Sequence, residues 1–300
     1  MTHRQAAWLM VLAAAMWSIA GVVTRQLETA RSFELTFWRS AFNALALVVL
    51  LCALRGPRVL WASLTQPMKS GGRALWVSGL CWCVMFTAFM VALTLTTVAN
   101  VLVTMAVGPL LTALMSRALL KHRLAARTWA AIGLAGVGIA WMYGHELASG
   151  DSRHLLGTAV AFAVPVAAAT NWTLLQHLKS QQGGGADMLP AVLVGALLSA
   201  LITLPLAWPL QASAHDMRLL ALLGVVQLAI PCLLAVAAAR VLPGPELALL
   251  SLLEVLLGVA WAWLGAGEAP SAAVLSGAAL VLLALAGNEA LAMRQQRGPA

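Results

Sequence analysis

Glu254 stands in "LLSLLEVLLGVAWAW", Leu249 to Trp263, a run otherwise apolar enough to lie in lipid. An ionised side chain at mid-bilayer costs roughly 2.5–3.5 kcal/mol on insertion scales. Helical spacing puts Glu246, Leu250, Glu254, Leu257 or Gly258, and Trp261 on one face. A face mixing carboxylate, glycine and indole fits a cavity or a neighbouring helix better than acyl chains. Two chemistries suit the carboxylate. It lines a solute pathway, where it receives a cationic amino group or titrates. Alternatively it is structural, ion-paired or kept neutral by burial. Arg39 is the countercharge candidate, because buried charges need partners; near the outer end of its span, it could instead reach the headgroups.

Other polar groups share the apolar runs. Asn43 lies one turn past Arg39, Asn100 and Thr104 share a helical face leading to Pro109, and Asn171 and Gln227 occupy two later runs. Each amide can bind the carboxylate or amino group of a small solute. Each can equally bond across helices, for about 0.6 kcal/mol on average. Twelve Trp accompany a single Tyr. Trp8, Trp61, Trp76, Trp129, Trp141, Trp208 and Trp263 fall near expected helix ends, where an interfacial belt accounts for them. Trp17, Trp82, Trp172 and Trp261 lie deeper, and wall a cavity or pack in the core or against lipid.

The elements that must position these residues are membrane helices. The 300 residues are 62% hydrophobic and 9% charged, with mean hydropathy +0.90. Soluble chains carry about 25% charge, and a span needs about 20 apolar residues. The net charge of +8 could suggest nucleic acid, but the basic residues are scattered through short connectors and form no patch. Cys52, Cys81, Cys83 and Cys232 all fall in apolar runs and read as small buried hydrophobes, with no metal site. No cofactor motif stands out: "GLAGVG", Gly133 to Gly138, lies wholly inside a span with no strand before it. The basic, apolar N-terminus has a passable cleavage triplet at Ser18-Ile19-Ala20, but its segment is needed as a span.

Ten spans are predicted, at about 6–25, 33–54, 74–95, 99–118, 126–143, 155–177, 188–207, 218–238, 246–265 and 271–292. "QQGGGAD", Gln181 to Asp187, reads as a flexible linker. Prolines 109, 165, 190, 205 and 231 lie inside or near the starts of spans, where each interior one permits a kink. With the N-terminus inside, 13 of the 18 Lys and Arg residues fall on the cytoplasmic side, so the positive-inside rule places both termini there. A shift of 145 residues lays the fourth span over the ninth, Gly108-Pro109 meeting Leu253-Glu254, and Gly133 falls near Ala278. The expected architecture is all-α, ten helices in two inverted five-helix repeats, 1–150 and 151–300. Inverted repeats of this kind characterise secondary transporters, with the substrate site near the midplane. The small faces of the fifth and tenth spans, with Gly277 and Gly287 on the latter, are alternatively a homodimer contact.

The first span carries "AAAMWSIAGVVTR", Phe37-Trp38-Arg39 opens the second, Pro109 lies in the fourth, and the ninth reads "LLEVLLGVAWAWLGAGE". Together they resemble the drug/metabolite transporter superfamily, of the EamA type. The chain departs from that pattern where Val255 follows Glu254 in place of Pro, and where His122-Arg123 replaces Gly-Glu. The resemblance implies a bacterial inner-membrane exporter of amino acids and related metabolites. Drugs, purines or a vitamin are the alternative substrates. An intramembrane enzyme would need His-Glu-x-x-His, Gly-x-Ser-x-Gly or paired aspartates, none of which occurs, and no phosphate-binding Gly-x-x-x-x-Gly-Lys loop points to ATP. A non-transporting membrane subunit is a further class. The expected partners are a small-molecule substrate and the bilayer.

Overall fold

A chain this apolar must satisfy its backbone polar groups internally, which helices do. The computed structural model is helical throughout and describes residues 1–30, 32–65, 72–120, 125–149, 152–182, 188–239, 241–242 and 244–296; no strand occurs among them. The elements are α1 (His3–Ser18), α2 (Ala20–Thr24), α3 (Ser32–Arg55), α4 (Pro57–Leu64), α5 (Arg73–Leu95), α6 (Val98–Met105) and α7 (Gly108–Leu120). They continue with α8 (Ala126–Ser149), α9 (Ser152–Gln182), α10 (Leu189–Ala207), α11 (Ala214–Gly224), a π-helical turn (Val225–Ala229), α12 (Ile230–Ala239), α13 (Gly244–Ala266) and α14 (Ala272–Gln296).

Seven helical segments are long and apolar enough to cross a membrane: His3–Thr24, Phe33–Arg55, Arg73–Leu95, Val98–Ala118, Ser152–Leu175, Leu189–Ala207 and Ala214–Ala238. Helices α8, α13 and α14 occupy the three remaining expected positions, the last two with the shorter apolar stretches Leu253–Ala266 and Ala272–Asn288. Three of the long segments are interrupted. The first breaks at Ile19, the fourth between α6 and α7 just before Pro109, and the seventh widens into the π turn just before Pro231. Pro lacks the N–H an α-turn needs, so the last two breaks fall where the backbone is weakest. Pro165 and Pro205 are absorbed within continuous helices, and Pro190 occupies a first turn. The sequence gives no sign of α4. Gly56, at φ +84°, turns the chain out of α3, and Pro57 starts the short helix that buries Leu60 and leaves Trp61 exposed.

Helix α5 packs on α9 and α10, and α3 packs on α10 and α11. On the other side α1 lies against α12 and α13, α6 and α7 against α9, and α8 against α14. Glycines permit the closest crossings. A Cβ on Gly79 would strike Val194 of α10, and one on Gly224 would strike the α3 backbone. Gly224 follows Gly79 by 145 residues, the repeat spacing. Gly138 meets the Gly277 carbonyl, so part of the small-residue face of α8 and α14 is used within the chain. Gly133, Gly136 and Gly287 have open space above them. Residues 183–187 of the expected linker and the His122-Arg123 pair lie outside the described residues.

Candidate functional site

Arg39 enters the bundle on α3 and is 2% exposed. Its Nε and Nη2 both donate to Gln227 Oε1, at 3.2 and 2.9 Å. The guanidinium also lies over the Phe89 ring of α5, 5.5 Å from its centroid, a cation–π arrangement that covers one face. Gln227 sits in the π turn, a distortion that recurs at functional sites because it re-aims side chains. Its Nε2 donates to the Trp17 carbonyl at 3.2 Å. Arg39 is thereby tied to α1, α5 and the π turn at once.

Glu254 of α13 is half-buried and makes no hydrogen bond among the described residues. Arg39 lies close enough to act on it through space, yet no ion pair within 4.0 Å joins them. The Cys232 thiol of α12 feels both charges and lies in hydrogen-bond reach of the half-buried Trp17 indole. Six helical elements, α1, α3, α5, the π turn, α12 and α13, thus contribute to the surroundings of one separated pair of opposite charges. The side chain of Glu246, expected on the same face of α13, lies outside the described residues.

The remaining expected residues divide. Asn43 is fully buried one turn past Arg39, and neither its amide oxygen nor its nitrogen has a hydrogen-bond partner. Thr104, at the end of α6, is buried with its hydroxyl unpartnered. Asn171 acts between helices, its Oδ1 accepting from Ser78 of α5 at 2.6 Å. Asn100 donates to Thr96 Oγ1 at 3.0 Å, one turn back. Trp82 is packed between α5, α9 and α10, its ring 5.4 Å from Phe86 and edge-on to Trp172 at 6.3 Å. Trp261 is 43% exposed on the outside of α13. Arg39, Gln227, Trp17 and Glu254 are therefore brought together, Asn43 adjoins them, and Trp82, Asn171 and Trp261 stand apart.

A second polar system seals one end of the bundle. Arg25, at the end of α2, pairs with Glu268 at 3.1 Å and donates to the carbonyls of Leu93 (2.6 Å) and Thr96 (2.9 Å). Glu268 also accepts from Val98 N, capping α6. These groups border a polar pocket of about 320 Å³ that includes Arg153 and His154. Just beneath it Gly21 faces Val98, and Gly258 faces Leu102 and the Ser18 carbonyl, so α1, α2, α6 and α13 meet without a gap. Asp216 gathers the 28–30 connector by accepting from the backbone of Glu28, Thr29 and Ala30, each at 2.9 Å, and from Thr29 Oγ1 at 2.7 Å. Glu34 accepts from Gln211 N and Ala212 N, both at 2.7 Å. Sequence reasoning passed over these clamps. Ser213-x-x-Asp216, an N-cap pattern realised at 3.1 Å, was the available signal.

Helices of this length and apolarity, folded around buried charges, define a multi-pass membrane protein. Residues 4–144 match the EamA-like transporter family, consistent with the drug/metabolite transporter superfamily that the motifs suggest. That match indicates a membrane transporter of small molecules. No curated protein matches the chain. Sixteen solved chains do. One of them, titled "Crystal structure of protein", is 20% identical with a TM-score of 0.65, over 99% of this chain and all of the other, and shares its fold.

Proposed function

We propose that this protein is a secondary transporter that exports amino acids and related small amphiphilic metabolites across a bacterial inner membrane, with both termini cytoplasmic. Ten spans in two inverted halves, 1–150 and 151–300, work by alternating access. The exchange of helix pairs supports this arrangement. Moving each helix by one repeat turns the α5–α9 contact into α12–α1, the α10–α5 contact into α3–α11, and the α9 contacts with α6 and α7 into α1–α13. The α3–α10, α8–α14 and α6–α13 contacts map onto themselves. Contacts that interchange in this way are what a two-fold axis between halves produces, and such halves rock around a fixed site.

The observation that carries the reading is Glu254: half-buried, without a hydrogen bond among the described residues, and close enough to feel an arginine it does not pair with. A carboxyl serving only to hold helices together would bond to one of them. Neutral, it would donate its proton to an acceptor; ionised, it would close on its countercharge. The test is flux into proteoliposomes of a panel of amino acids, aromatic metabolites, purines and vitamins, with and without a pH gradient. Amino-acid flux above empty liposomes without ATP is expected, and Glu254→Gln lowers it while Glu28→Gln, on an exposed connector, does not. No flux of any compound overturns the reading; flux of purines or vitamins alone replaces the substrate.

A further inference from the structure

Arg39 and Glu254 hold their charges in different ways. Arg39 is fixed: two of its nitrogens bond to one oxygen of Gln227, and its face is covered by Phe89. Its third nitrogen, Nη1, is buried with no hydrogen-bond partner. A buried donor left unsatisfied is costly, more so when charged. Gln227 cannot turn to relieve it, because its own amide is committed to the Trp17 carbonyl. Glu254 is the reverse: half-buried on α13, it makes no hydrogen bond among the described residues. Cys232, in hydrogen-bond reach of the Trp17 indole, is near enough to both to feel each charge. A donor without an acceptor and an acceptor without a donor, of opposite charge and on different helices, are complementary to one kind of guest. That guest carries an ammonium at one end and a carboxylate at the other.

Resting on the transport reading above, we propose that Arg39 and Glu254 form a two-ended site for zwitterionic solutes, the ammonium on Glu254 and the carboxylate on Arg39 Nη1, with the Trp17 indole as the wall between. Glu254 is met first, being the less buried end. The carboxylate then engages Nη1, which is shielded in this conformation, as α13 and α3 draw together around the guest. Occupancy is thereby linked to helix movement, because the closed arrangement gains contacts that the open one lacks. Gln227 is a positioning residue: it aims Nη1 by occupying the other two nitrogens.

The experiment takes the amino acid with the highest flux in the panel and compares it with its decarboxylated amine and its deaminated acid. For phenylalanine these are phenethylamine and 3-phenylpropionate. A site built to bond both ends rejects an analogue missing either, so flux of each should fall at least about tenfold. Glu254→Gln should abolish the preference over the deaminated acid while keeping that over the amine, and Gln227→Leu should raise KM for the amino acid more than it lowers kcat. Should Gln227→Leu fail to fold, the wild-type comparison and Glu254→Gln decide. An amine or acid carried as fast as the amino acid overturns the two-ended site and leaves transport standing. So does flux confined to compounds that are not zwitterions. No flux of any compound removes the transport reading itself.

Discussion

Gly224 sits where α11 crosses α3, immediately before the π turn that carries Gln227. A Cβ placed on it would lie 2.5 Å from Phe42 Cβ, 2.7 Å from the Arg39 carbonyl oxygen and 2.9 Å from Asn43 N. Ordinary contact begins at 3.4 Å, so Gly224→Ala must push the two helices apart by about 0.9 Å at the tightest point, the difference between 3.4 and 2.5 Å. The obstructing atoms are backbone and a Cβ, so no rotamer change relieves them. Overpacking of this kind costs about 1–3 kcal/mol, equivalent to a Tm lower by roughly 2–5 °C for a chain of this size. The same displacement stretches the 2.9 and 3.2 Å bonds from Arg39 to Gln227 past hydrogen-bonding range, so flux should fall with stability. The assay is thermal unfolding in detergent, followed by tryptophan fluorescence, paired with flux in proteoliposomes. Gly136→Ala is the control: Gly136 is exposed with nothing within 4 Å of its Cβ position, and its Tm should not drop. A Gly224→Ala protein with wild-type Tm would refute the reasoning, since it would mean that the α3–α11 crossing is not close-packed.

Two further outcomes follow from the sealed end. Asp216→Ala strands the backbone donors of Glu28, Thr29 and Ala30 and the Thr29 hydroxyl; hydrogen bonds to charged groups are worth about 1.5–3 kcal/mol each, and with water replacing part of the loss the net cost is about 2–4 kcal/mol, read as a lower Tm, whereas Glu28→Gln stays within about 0.5 kcal/mol. Glu268→Gln breaks a partly exposed ion pair with Arg25, which costs below about 1 kcal/mol. It should nevertheless speed labelling of Val22→Cys by a membrane-impermeant thiol reagent, and labelling at the unaltered rate would make the Arg25 contact a passive one.

How much of this was legible in the sequence depended on whether a residue's meaning is local. The apolar runs marked the helices well, because length and hydropathy are properties of a segment: the expected 33–54, 74–95 and 188–207 became Ser32–Arg55, Arg73–Leu95 and Leu189–Ala207. Pro109 and Pro231 pointed to the two interruptions beside them, while Pro165 and Pro205 left their helices whole, since neighbouring packing decides whether a freed carbonyl bends the chain. Glu254 and Arg39 were visible as charges in the wrong solvent. Their surroundings were not. Gln227 lies 188 residues from Arg39, and its role depends on a helix crossing and a π turn that no run of residues announces. Trp82 and Trp17 look alike in sequence, yet one is packed among three helices and the other stands beside the charges. Asp216 and Glu34 work through connectors from the other half of the chain, so their partners appear only when the halves meet.

The separation of Arg39 from Glu254 also bears on why a chain this apolar keeps an acid within a span. At an effective dielectric constant of 20, closing opposite charges from about 8 to about 4 Å gains about 2 kcal/mol. A pair kept for stability would take that gain, as Arg25 and Glu268 do at 3.1 Å at the end of the same helix bundle. Arg39 does not, because Gln227 and Phe89 hold it on the frame formed by α1, α3 and α5. Glu254 does not, because it stands on α13, whose Leu253, Glu254 and Leu257 all remain half-buried along the stretch below the Gly258 contact. One charge therefore belongs to the packed frame and the other to a helix whose side chains around it are less completely buried. The attraction between them stays partly unused in this conformation, and it is available to whatever bridges the gap or closes it. Of these two sets of opposite charges, Arg25 and Glu268 are closed at one end of the bundle, whereas Arg39 and Glu254 are held apart within it, the arrangement on which the proposed transport role rests.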